Sequence, residues 1–125
     1  GTASRAAMSA YWVLCWGAIR SAISMNDEGY VAILTVELHF PEAASLKGKR
    51  HFVRAARDTL RGRFGASVAE VAHHDLWQRC RLLVACAARD AHEAARLAEA
   101  AERWLASGDW ELVRADRLLG SPADE

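Results

Sequence analysis

The chain has no net charge: 16 Lys and Arg balance 16 Asp and Glu over 125 residues. Bulk charge therefore draws it neither to nucleic acid nor to a membrane. Lysine is nearly missing, present only as Lys47 and Lys49. With abundant arginine and alanine, this reads as the coding bias of a GC-rich genome, in which many alanines are filler. Cysteine is scarce and odd in number, at Cys15, Cys80 and Cys86. That excludes a disulfide framework, and the lack of a CxxC pair excludes a zinc knuckle. Cys80 and Cys86 fall on one predicted strand, on the same side but roughly 20 Å apart, beyond bridging reach. Buried free thiols in a reducing compartment are expected, hence a cytoplasmic protein. No apolar run is long enough to span a membrane, and no membrane partner is expected. The longest run, residues 10–19, is of signal-peptide size, but only Arg5 precedes it, which disfavours secretion.

Catalytic signatures are missing too. There is no GxSxG elbow, P-loop, dinucleotide fingerprint or activated Cys–His arrangement. Glu37 and His39 share one strand face, but an isolated pair of this kind arises readily by chance. No catalytic residue and no cofactor are assigned, and an enzyme of the ferredoxin-like class with an unknown reaction ranks lowest among the readings.

What the sequence does contain is a core: 52% of residues are hydrophobic, enough for one globular domain. Residues 1–29 read as an N-terminal extension, carrying Trp12 and Trp16 at helical i,i+4 spacing and ending in a polar break in which Met25 would be a natural start. Either it is dispensable for folding or it forms a short amphipathic helix that docks on the domain. Residues 30–119 hold the domain, and 120–125 a polar tail.

Tyr30 to Phe40 alternates as a strand. Ala32, Leu34, Val36, Leu38 and Phe40 take one face; Val31, Ile33, Thr35, Glu37 and His39 take the other. Ser45 suits a helix N-cap, and Leu46, Val53, Ala56, Leu60 and Phe64 make an apolar stripe before Gly65 at the C′ position. Residues 66–73 and 77–88 read as a hairpin turning at His74-Asp75. Asp90 with Glu93 opens a second helix to about residue 107, and Trp110 to Leu119 is the last strand. The order β-α-β-β-α-β predicts an α+β, ferredoxin-like split βαβ fold: a four-stranded antiparallel sheet in order 4-1-3-2 with two helices on one face.

The blocks Val36-Glu37-Leu38-His39-Phe40-Pro41-Glu42, Ser45-Leu46-Lys47 with Lys49-Arg50, and Ser67 to Val71 with His73 and Asp75-Leu76-Trp77-Gln78-Arg79 resemble the bacterial YlxP family, over roughly Tyr30 to Leu119. That family is small and of unknown function. The resemblance implies a ferredoxin-like fold and a gene often found beside those for the large translation initiation GTPase and a ribosome-binding factor, an association rather than a mechanism. Gly48 departs from the family's usual charged residue. Ala72-His73-His74 stands where Asp-His-Gln is usual.

Charge is unevenly placed along the neutral chain. Lys47, Arg50, Arg54, Arg57 and Arg61 recur at steps of 3, 4, 3 and 4, within roughly 80° of one another on a helix. A cation stripe suits phosphate contact, so RNA or a ribosomal particle is the expected partner and a non-enzymatic RNA- or ribosome-associated binding domain the expected function. The plainer reading pairs these cations with Glu93, Glu99 and Glu102 of the second helix. Adjacent His73 and His74 on a strand point to opposite faces, and no HxH or HxxxH pair exists, so no metal site is assigned. Trp77 beside the hairpin turn is expected to be a packing anchor rather than a stacking platform. The outer sheet face lacks the aromatics of an RNA-reading sheet. Its Val31, Ile33 and Leu83, with Trp77, mark an interface, and the alternative function is an interaction module that homodimerises through this face.

Overall fold

The computed structural model describes residues 28–122. Residues 1–27 of the expected extension, with Cys15, Trp12 and Trp16, and residues 123–125 of the tail lie outside them. The elements are β1 (Tyr30–His39), α1 (Leu46–Phe64), β2 (Ser67–Ala72), β3 (Arg79–Ala88), α2 (Ala91–Ala106) and β4 (Glu111–Gly120). The four strands pair antiparallel in the order β2-β3-β1-β4, the expected arrangement read from the other edge.

Strict alternation in β1 sends Ala32, Leu34, Val36 and Leu38 into the core, each at most 1% exposed. The register sets Leu34, Val36 and Leu38 opposite Val84, Leu82 and Cys80 of β3, whose buried side chains continue the same face. Both helices cover it. α1 starts where the Ser45 side chain accepts the Gly48 N–H at 3.1 Å. It stops at Gly65, whose φ of 62° lets its N–H return to the Arg61 carbonyl, a backbone position that an L side chain strains. α2 is capped in the same way by Asp90, which accepts the Glu93 N–H at 2.8 Å.

Three local readings change. The alanines of α2 are not filler: Ala91, Ala94, Ala95, Ala98 and Ala101 are at most 1% exposed, on the face that meets the sheet. Small side chains there let the helix lie close to β1, Tyr30 and Leu119. In α1, the gap in the apolar stripe between Leu46 and Val53 is filled by Lys49, 2% exposed. The third strand begins at Arg79 rather than at Trp77. His73 adopts a left-handed conformation (φ 64°) and its carbonyl accepts the Leu76 N–H, so the chain turns before it can extend. Gln78 is then held from the side, its carbonyl accepting the Phe40 N–H at 2.8 Å and its amide donating to the Ala43 carbonyl at 3.3 Å.

Candidate nucleic-acid interface

Capping at Ser45 and burial of Val53, Ala56 and Leu60 fix the rotation of α1. That rotation sets the arginines between the apolar face and solvent, beside edge strand β2. Arg50, Arg54, Arg57 and Arg61 line one groove of about 340 Å³ that reaches Glu70 of β2 and also takes in Asp58. The fifth residue of the stripe, Lys47, is exposed in the first turn and lies outside the lining. None of the five makes an ion pair among the described residues, and the Arg57 Nε is buried without a hydrogen-bond partner there. Two of the three acids expected to neutralise the stripe are engaged elsewhere, Glu93 with Arg96 at 3.7 Å and Glu102 with Arg117 at 3.4 Å; the third, Glu99, makes no ion pair with the stripe among the described residues. The first turn of α1 holds no acid, so the positive end of the helix dipole adds to the field at the Arg50 end.

Beneath the groove lies a buried ion pair that the cation pattern alone did not single out. Lys49 Nζ sits 3.0 Å from Glu70 Oε2 and 2.5 Å from the His73 carbonyl, with the His74 carbonyl at 3.5 Å. One ammonium thus ties α1 to the end of β2 and to the turn after it. Its sequence signal was a lysine on the apolar side of a helix, inside a gap that the stripe left open. Cys80 lies alongside; burial, with Glu70 second, pushes its thiol pKa up and keeps it protonated.

The outer face of the sheet divides into an apolar and a charged end. Ile33 lies between Ala85 and Leu118 in the register, with Val31 beyond it and Leu83 38% exposed. Farther along, Glu37 Oε1 accepts from Arg81 Nε at 2.7 Å and lies 3.4 Å from His73 Nε2. Burial works against ionisation of Glu37, but Arg81 and His73 together outweigh it and hold the carboxyl below its ordinary value. Glu37 and His39, which share this face, do not pair: His39 turns to Glu111 at 3.4 Å. His74 meets the Glu70 carbonyl, and no three His, Cys, Asp or Glu side chains converge on a metal position among the described residues. Trp77 is not a packing anchor. It is 51% exposed, with no ring contact to another described aromatic, because the early turn at His73 carries it off the sheet.

Fold and connectivity define an α+β domain of the ferredoxin-like kind, with no described helix long and apolar enough to cross a membrane. Residues 31–117 match DUF503, a family described as proteins of unknown function, and the chain belongs to it. Comparison with curated proteins gives no match.

Proposed function

We propose that this domain binds RNA, free or within a ribosomal particle, without catalysing a reaction, through the arginine groove of α1. The observation that carries the reading is that Arg50, Arg54, Arg57 and Arg61 share one groove and make no ion pair among the described residues. Four arginines against Asp58 and a Glu70 already held by Lys49 leave an excess of cations in the groove, which favours a polyanion, and arginine forks suit phosphate oxygens. The blocks that resemble YlxP proteins support the same direction, since that resemblance implies genes beside translation factors.

A second reading rests on the sheet. Ile33, Ala85, Leu118 and the exposed Leu83 form an apolar stretch suited to a second copy of the chain.

Changing Arg50, Arg54 and Arg57 together to Gln should weaken RNA binding and reduce the log–log salt slope by roughly two to three. The fold should survive, because Arg50 and Arg54 are exposed and Arg57 is half-buried. Arg96→Gln with Arg103→Gln on α2 is the control and should leave the slope in place. An unchanged slope in the triple variant removes the groove from the mechanism. A wild type that binds no RNA at any salt, yet sediments as a dimer, leaves the second reading.

A further inference from the structure

An exposed apolar turn is tied to the N-terminal end of α1. Three of the five large hydrophobic side chains that are exposed among the described residues, Val71, Leu76 and Trp77, fall within one short stretch from β2 to β3, at 44%, 47% and 51%. The stretch is fixed to the groove at its Arg50 end. Lys49, beside Arg50, holds the His73 and His74 carbonyls. The Gln78 amide pins the far side of the turn to Ala43, just before the α1 cap. Trp77 is therefore presented by a fastened turn, not by a loose loop.

We infer that Trp77 is a stacking platform for an unpaired base, and that the site prefers single-stranded RNA, its phosphates along the arginines and a base on the indole. The inference rests on the RNA reading above and narrows it. Paired bases in an A-form helix present phosphates and sugar edges, and their faces are closed to an outside ring. A single strand offers both a phosphate row and a free π-face, the two chemistries carried by α1 and by the turn fastened to its N-terminal end. Lengthwise the parts fit, since Arg50 to Arg61 covers roughly 16 Å of helix. Stacking of this kind carries no sequence preference, so the domain would select strandedness rather than a base.

The test uses the full chain and three fluorescently labelled probes: a twelve-nucleotide RNA, its duplex with the complement, and a twelve-unit abasic strand. Trp77→Ala should weaken binding of the single strand roughly five- to a hundredfold, the usual weight of one stacked base. It should leave the duplex, the abasic strand and the salt slope as in wild type, because stacking releases no counterions. Trp77→Phe should recover most of the loss. Exposure of the ring makes a folding defect a poor explanation, and unchanged duplex binding by the same preparation checks it. If Trp77→Ala binds all three probes as wild type does while the arginine triple variant is impaired, the platform is wrong and the groove stands. If wild type binds none of the probes at any salt, the platform and the free-RNA reading both fall.

Discussion

Lys49 is buried to 2% exposure, yet it carries a full charge into the space between a helix and a sheet edge. Such a charge is stable only with partners, and here Glu70 and the His73 carbonyl supply them. Removing one partner is expected to cost more than the pair itself contributes. Lys49→Met should lower unfolding free energy by about 3 kcal/mol, the low end for a broken buried pair because Glu70 is partly exposed. Lys49→Met with Glu70→Leu should regain most of it, and urea denaturation of both variants reads the difference. Glu37 gives a pH-dependent counterpart. Its folded pKa is lowered from 4.5, so its stabilising contribution is present above that value and is lost as pH falls through the lowered one. Glu37→Gln should therefore lose stability less steeply than wild type as the solution is acidified below about pH 4.5. Parallel acid limbs would mean that Arg81 and His73 do not hold this carboxylate. Both clusters join side chains from separate elements, so their pairings were not legible from sequence even where Lys49 itself left a signal. Glu37 and His39 were two apart on one strand, but each found its partner on a neighbouring strand.

At the scale of elements, the sequence was far more informative. Strict alternation over 30–39 and the caps at Ser45, Gly65 and Asp90 are local signals, and each element formed where its signal lay. The hairpin between β2 and β3 formed, but its second strand starts two residues late, because histidine is only a weak signal for the left-handed turn at His73. The same turn converts Trp77 from an expected anchor to an exposed ring. Alanine in α2 was misread for a different reason: composition cannot tell an alanine that fills a position from one that is required by a close approach. Ala98, fully buried in the cluster with Ala32 and Leu119, makes the distinction measurable. Ala98→Leu should destabilise by about 1–3 kcal/mol through overpacking. Ala106→Leu, exposed at the end of the same helix, should be near neutral in the same thermal melts.

Across the whole molecule, β3 is an inner strand, bonded to β2 on one side and β1 on the other and covered by both helices. Its thiols at Cys80 and Cys86 are at most 1% exposed, and burial raises the pKa of each, so neither the thiolate nor a path to it exists while the sheet stays closed. The fold thereby contains two clocks at opposite ends of one strand. With Cys15 changed to Ser, a chromogenic disulfide reagent should find no reactive sulfur in the native protein and two in urea. Under native conditions each sulfur should react only as often as its own end of the strand opens. If Cys86 reacts ahead of Cys80, the alanine-packed end of the sheet separates first, and the end fastened by Lys49 is the last to let go.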